Sequence, residues 1–164
     1  MNWKCISTMV IAAVLGIMQA ANAGQLEDGT AAHDRGDYTT AIRLWRPLAD
    51  QGVAQAQFLL GTMYENGKGI AQDYRGAMKW YRLAADHQGY AAPLYAIGLM
   101  YAKGRGVTPD DVHAYMWYNL AASSGDYAGT LLRDGLAKKM TPAQIAQAQE
   151  MTKRCQQSKH KDCD

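Results

Sequence analysis

A block of residues returns almost unchanged 37 positions further along the chain. Residues 60–64 (Leu-Gly-Thr-Met-Tyr) reappear as residues 97–101 (Ile-Gly-Leu-Met-Tyr), and residues 80–81 (Trp-Tyr) reappear as residues 117–118. Self-similarity at such a period is typical of helical solenoids, in which each unit is too small to bury its own apolar face and stacks on its neighbours. The repeat therefore predicts an all-α architecture well and predicts chemistry poorly.

Apolar residues within each unit follow a helical period. This pattern predicts an antiparallel pair of helices per unit, with one face of each helix buried. The second-helix pattern of residues 74–85 also occurs 36 positions earlier, from Tyr38 onward, which indicates a third, leading unit. We therefore predict units at about 26–53, 54–89 and 90–125. The stripes of the two best-matched first helices are Ala56, Leu59, Leu60, Met63 and Tyr64, and Pro93, Ala96, Ile97, Met100 and Tyr101.

Glycines occupy equivalent positions in the two best-matched units. Gly61 and Gly98 lie inside the first helices, where a small residue lets two helix backbones approach closely. Gly67 and Gly104 follow these helices, where a residue in the left-handed conformation is needed. A second glycine two residues later in each loop should keep the connection free of steric limits.

Both ends of the array are irregular, as the terminal units of a solenoid should be. At the front, residues 35–37 (Arg-Gly-Asp) replace the longer glycine-rich loop. At the back, residues 126–140 take the place of a first helix, and residues 141–144 (Thr-Pro-Ala-Gln) predict a helix that begins with a capping box. We predict a cap over 126–157 whose polar outer face ends the solenoid, followed by a polar tail at 158–164.

Residues 1–23 have the pattern of a secretory signal peptide. Residues 1–4 carry one positive charge, residues 9–18 are almost continuously apolar, and residues 21–23 (Ala-Asn-Ala) predict cleavage before Gly24. The apolar stretch is too short to span a bilayer. A membrane anchor or an intracellular terminus are the alternatives. We expect a soluble mature protein, periplasmic or secreted, that is not inserted in a membrane.

Charge and cysteine content restrict the partner and the compartment. The formal net charge is +2, and this near neutrality argues against a nucleic-acid partner. Cys155 and Cys163 remain after signal removal, and an even number of cysteines in an exported chain favours a bridge between them. Such a bridge would contribute roughly 2 to 3 kcal/mol by the chain-entropy estimate. Free thiols or an intermolecular bridge are the alternatives.

Several motifs at fixed offsets resemble a Sel1-like repeat. They are residues 54–64 (Ala-Gln-Ala-Gln-Phe-Leu-Leu-Gly-Thr-Met-Tyr), the Gly-Lys-Gly of 67–69, Asp73, and the Trp-Tyr of 80–81 with the alanine pair of 84–85. Residues 96–122 match again, and the resemblance covers about 40–140. It implies a short, tetratricopeptide-like right-handed superhelix whose first helices line a concave surface used for protein contacts. The family has no shared catalytic residues to transfer.

The leading hypothesis is a non-catalytic protein-binding module, an adaptor or scaffold exported to the cell envelope, that holds a polypeptide of unknown identity on the concave surface. Residues off the apolar stripe of the first helices would form the contacts: Gln55, Phe58, Thr62, Glu65, Tyr95 and Leu99. Phe58 and Tyr95 occupy equivalent positions, and packing between repeats is the favoured role for both.

An enzyme that binds or hydrolyses β-lactams is the alternative, since this activity has been described for some cysteine-rich members of the family. Residues 158–161 (Ser-Lys-His-Lys) form a formal Ser-x-x-Lys motif, but it lies in a charged tail without the supporting motifs of such enzymes. The chain has four histidines: His33, His87, His113 and His160. They do not have metal-ligand spacing, so we predict neither metal nor cofactor.

A third hypothesis is a structural or regulatory envelope protein.

Overall fold

The computed structural model describes residues 3–87, 89–158 and 163, with side chains described from residue 19 onward. Over these residues the chain forms eight α-helices and no β-strand, which confirms the all-α prediction. The helices are α1 (Trp3–Asp34), α2 (Tyr38–Asp50), α3 (Ala54–Asn66), α4 (Tyr74–Ala85), α5 (Ala91–Lys103), α6 (Asp111–Ser123), α7 (Tyr127–Ala137) and α8 (Pro142–Gln157).

Consecutive helices pack against each other along the array. α1 packs on α2, α2 on α3, and the order continues to α6 on α7. Each second helix is therefore shared between its own first helix and the first helix of the next unit. α8 packs on α6 as well, beside α7. This is the arrangement of a solenoid of helix pairs closed by a capping helix.

A glycine of the first helix faces an aromatic ring of the second helix in each unit. A Cβ atom added at Gly61 would lie 2.5 Å from the ring of Tyr81, and one added at Gly98 would lie 2.6 Å from the ring of Tyr118. Both rings are almost fully buried. The sequence prediction that these glycines allow close helix packing is therefore confirmed, and the rings are what approach them.

The leading unit uses the same arrangement with a tryptophan. Gly29 of α1 faces the fully buried indole ring of Trp45, with no room for a Cβ atom. The indole N–H of Trp45 donates to the backbone carbonyl of Leu26 at 3.3 Å. The side chain of Gln25 donates to the backbone carbonyl of Leu44 at 2.8 Å. The last part of α1 therefore serves as the first helix of the leading unit.

The glycine-rich loops pack back onto the preceding unit. Gly69 has a φ of +70°, and a Cβ atom there would lie 2.6 Å from Cβ of Tyr38, the first residue of α2. Gly106 has a φ of +73°, and a Cβ atom there would lie 2.8 Å from the carbonyl carbon of Tyr74, the first residue of α4. Freedom from steric limits is thus one reason for these glycines, and close approach to the preceding unit is a second.

The basic residue of each loop lies over the ring of the tyrosine that the glycine of that loop approaches. Nζ of Lys68 is 5.2 Å from the ring centroid of Tyr38, and the guanidinium carbon of Arg105 is 5.6 Å from that of Tyr74. A cation over an aromatic face is attracted by the ring quadrupole. The loop therefore joins each unit to the one before it by a steric fit and by a cation–π contact.

A hydrogen bond between arginine and tyrosine also recurs from unit to unit. The guanidinium of Arg46 in α2 donates to the hydroxyl of Tyr64 in α3 at 3.4 Å. The guanidinium of Arg82 in α4 donates to the hydroxyl of Tyr101 in α5 at 3.1 Å. Equivalent residues thus make equivalent contacts, as a stacked repeat requires.

The C-terminal cap is held by a capping box and by a cysteine pair. Thr141 and Gln144 each accept a hydrogen bond from the backbone N–H of the other, which forms the predicted capping box at the start of α8. The sulfur atoms of Cys155 and Cys163 lie at bonding distance, and their Cα atoms are 4.6 Å apart. Both cysteines belong to the main core cluster, so the chain returns to the core after α8.

Candidate binding surface

Three of the six predicted contact residues pack against the core. The ring centroid of Phe58 is 5.6 Å from that of Tyr81, and the ring centroid of Tyr95 is 6.4 Å from that of Tyr118. Leu99 packs against the same core cluster. All three predicted residues are partly buried. Packing within the array therefore accounts for most of their surroundings.

Two further predicted residues direct polar atoms to partners within the chain. Glu65, whose side chain is 17% exposed, accepts a hydrogen bond from the hydroxyl of Tyr81 at 2.7 Å and another from the guanidinium of Arg105 at 2.8 Å. Burial, together with this bond to a carboxylate, raises the pKa of Tyr81 well above its usual range. The hydroxyl of Thr62 donates to the backbone carbonyl of Leu59 at 2.7 Å.

The sixth predicted residue, Gln55, is exposed and lines a groove between α1 and α3 with a volume of about 590 Å³. We call it the α1–α3 groove. A volume of this size is typical of ligand-binding clefts. The groove lies between the first helices of two successive units, on the type of surface with which solenoids bind other proteins. Its lining residues are Ala23, Leu26, Glu27, Thr30, Ala31, Asp34 and Gln55.

One stripe of α1 forms a long wall of this groove. The α1 residues recur at spacings of three and four, which places them on one face of the helix. Leu26 is partly buried and packs on the leading core, whereas Glu27 and Asp34 are exposed. Seven residues correspond to about 10.5 Å along a helix axis. The groove therefore combines an apolar base with two carboxylates about two helical turns apart.

The sequence predictions missed these α1 residues because the sequence pattern identifies the leading unit only from its second helix. The glycine that faces the aromatic ring was a usable signal. Gly29 precedes Trp45 as Gly61 precedes Tyr81, although the shorter turn of residues 35–37 changes the spacing. Aligning these glycines would have placed Ala23 to Asp34 on a first helix.

A second exposed apolar feature lies on α7. Tyr127 is 80% exposed and Leu131 is 60% exposed, and they are one helical turn apart. Leu131 is the fifth residue of its helix, as Phe58 and Tyr95 are of α3 and α5. In α3 and α5 this residue packs on an aromatic ring of the following helix. α8 packs on α6, and this face of α7 points outward.

The remaining candidates for chemistry have structural surroundings. The ring of His113 stacks on Tyr101 with centroids 4.9 Å apart, and its Nδ1 lies 2.8 Å from the carboxylate of Asp110. Within the described part of the chain, no group of three or more histidine, cysteine or acidic residues could hold a metal ion. Among the same residues, no helix has the length and hydropathy to span a bilayer.

The Ser-x-x-Lys motif is only partly visible. The hydroxyl of Ser158 donates to the backbone carbonyl of Cys155 at 2.9 Å. The other three residues of the motif, 159–161, lie outside the described residues, as does His160.

The fold and the groove define a class, the short α-helical repeat solenoid. A sequence model of the Sel1 repeat matches residues 20–53, 54–88 and 94–126, which together make up more than half of the chain. The chain belongs to the Sel1 repeat family, as the motifs indicated. Proteins with these repeats typically act as protein–protein interaction scaffolds. A search of curated proteins finds no match to the chain.

Solved structures share the fold, and two of them are similar to this chain in sequence as well. A protective antigen present in uropathogenic Escherichia coli strains is 30% identical with a TM-score of 0.77, over 84% of this chain and 30% of the antigen. A Sel1 repeat protein from Oxalobacter formigenes is 32% identical with a TM-score of 0.61, over 68% of this chain and 47% of that protein. The chain thus spans less than half the length of either one.

Proposed function

We propose that the chain is a non-catalytic adaptor, exported to the cell envelope, that binds a segment of another protein in the α1–α3 groove. The groove is the observation that carries this proposal, because it is an exposed cleft of about 590 Å³ between the first helices of two units. The scaffolding role typical of the family supports the same function. Gln55, at the start of α3, is exposed at the edge of the groove and available to a partner.

The other predicted contact residues would contribute less to binding. Phe58, Tyr95 and Leu99 pack against the core, and Glu65 joins two units. Their roles are therefore mainly to fix the position of the first helices.

Site-specific photo-crosslinking in living cells tests the proposal. A benzophenone amino acid replaces Gln55 in one variant and Gln147 in a matched control, since both glutamines are exposed on helices. We expect a discrete adduct of the chain with one partner from position 55 and none from position 147. Equal adducts from both positions, or none from position 55, would contradict binding in the groove.

Export is tested separately by the mass of the protein. The apolar stretch before Gly24 predicts cleavage there, and a cysteine pair at bonding distance supports an oxidising compartment. We expect the protein in the envelope fraction to lack residues 1–23 when measured by intact mass spectrometry. Full-length protein recovered from the cytoplasm alone would contradict export.

A further inference from the structure

We infer that the α1–α3 groove recognises a cationic helical segment whose two basic side chains lie seven positions apart and bind Glu27 and Asp34. This inference rests on the proposed function and adds the charge and the spacing of the partner. Its basis is the juxtaposition of two exposed carboxylates with an apolar base in one groove.

The charge of the groove selects the sign of its occupant. Among the described residues that line it, the two charged ones, Glu27 and Asp34, are both acidic. The carboxylate of Asp34 is 72% exposed, and its Oδ1 lies 3.3 Å from Nδ1 of His33. A cleft lined by charge of one sign attracts ligands of the other sign and disfavours ligands of the same sign.

The spacing of the carboxylates selects the form of the occupant. They are seven residues apart on α1, which corresponds to about 10.5 Å along the axis. Basic residues seven positions apart on a second helix lie on one face at the same spacing. An amphipathic helix lying in a groove is also a common mode of peptide recognition. A helix along α1 therefore matches both charges at once.

The lining beside the carboxylates suits the stems of basic side chains. Leu26 and Ala31 are apolar, and Thr30 is short. Lysine and arginine bury their methylene groups on apolar surface while the charged end stays in water. Cleavage before Gly24 would remove Ala23 at one end of the groove and leave the other six lining residues in place. It would also create an N-terminal ammonium three residues before Glu27, so that the two carboxylates would keep the end of the groove net negative.

A fluorescence anisotropy titration with synthetic peptides tests the inference. The probe is a labelled, capped, alanine- and leucine-based helical peptide with two lysines seven positions apart, and its control has glutamates at both positions. The protein in this titration is purified from cells that express the full chain. We expect the lysine peptide to bind and the glutamate peptide not to bind, and we expect molar salt to weaken the binding because salt screens exposed charges.

Matched variants locate the binding. The double variant Glu27→Gln with Asp34→Asn should bind the lysine peptide with about 5-fold lower affinity, which is the effect expected from the loss of two exposed ion pairs. Glu150→Gln should not change its affinity, because Glu150 is an exposed carboxylate on α8 that lies outside the groove. All three residues are exposed, so the circular dichroism of each variant should match that of the parent protein.

Each result either supports or overturns the inference. Equal binding of both peptides, no binding of the lysine peptide at millimolar concentration, or an unchanged affinity in the double variant would overturn it. If position 55 captures the partner as strongly in the double variant as in the parent protein, the two carboxylates do not select the partner and the adaptor function stands. If position 55 captures nothing in the parent protein, the adaptor function itself is wrong.

Discussion

Replacing Gly106 with alanine tests how the units are joined. Gly106 has a φ of +73°, and a Cβ atom there would lie 2.8 Å from the carbonyl carbon of Tyr74 and 2.9 Å from its oxygen. These atoms belong to the first turn of α4, which is fixed by its own hydrogen bonds. The loop, not the helix, must therefore move to accept a methyl group.

Two effects destabilise the Gly106→Ala variant, and their free energies add. A non-glycine residue in the left-handed region costs about 1 to 2 kcal/mol, and forcing a carbon into a packed contact costs about 1 to 3 kcal/mol more. Gly106→Ala should lower the free energy of unfolding by about 2 to 5 kcal/mol. Gly125 is the matched control, because its φ is +85° but a Cβ atom there would have nothing within 4 Å. Gly125→Ala should therefore show only the first cost, about 1 to 2 kcal/mol.

Urea unfolding followed by the helical circular dichroism signal measures these differences. Gly135→Ala provides a control of opposite sign, since Gly135 is inside α7 with open space around it, and alanine there should stabilise by about 0.5 to 1 kcal/mol. Gly69→Ala should repeat the effect of Gly106→Ala at the preceding unit. If Gly106→Ala is no less stable than Gly125→Ala, the loop does not stabilise the stacking of the units.

Three further outcomes are expected. Tyr95→Ala should destabilise by about 2 to 4 kcal/mol because its ring packs on the core, whereas Leu131→Ala, 60% exposed, should change stability by less than about 0.5 kcal/mol in thermal unfolding. Cys163→Ser should cost roughly 2 to 3 kcal/mol in urea, and reductant should affect only the parent protein. Because burial and a bonded carboxylate raise the pKa of Tyr81 in the folded state, stability should fall as the pH rises above 10.0, its ordinary value, and Tyr81→Phe should reduce that fall.

The helix pairs could be predicted from sequence because their determinants repeat. Gly67 and Gly104 were expected in the left-handed conformation after the first helices, and their φ values are +66° and +63°. Each signal appears twice at a fixed offset, so chance agreement is excluded by the repetition itself. The capping box at residues 141–144 was predictable for a different reason, because its hydrogen bonds are local in sequence.

Contacts between units could not be predicted to the same extent. The hydrogen bonds that Glu65 accepts from Tyr81 and Arg105 join residues up to 40 positions apart in the sequence. They depend on how far one unit is rotated against the next. A periodic sequence does not specify that rotation. For the same reason, Phe58 and Tyr95 could be placed at equivalent positions from sequence, but the ring that each one meets is known only from the stacked structure.

We expect the residues that do not repeat to give this surface its specificity. When Gly29 is aligned with Gly61, the position of Gln55 in α3 corresponds to Ala23 in α1 and to Ala92 in α5. The acidic pair of α1 has no counterpart, since Glu27 and Asp34 align with leucine and asparagine in the second unit and with alanine and lysine in the third. Binding by charge should therefore be confined to the leading end. A photo-crosslinker at position 92 should capture the partner less than one at position 55, and equal capture would show that recognition extends along all first helices.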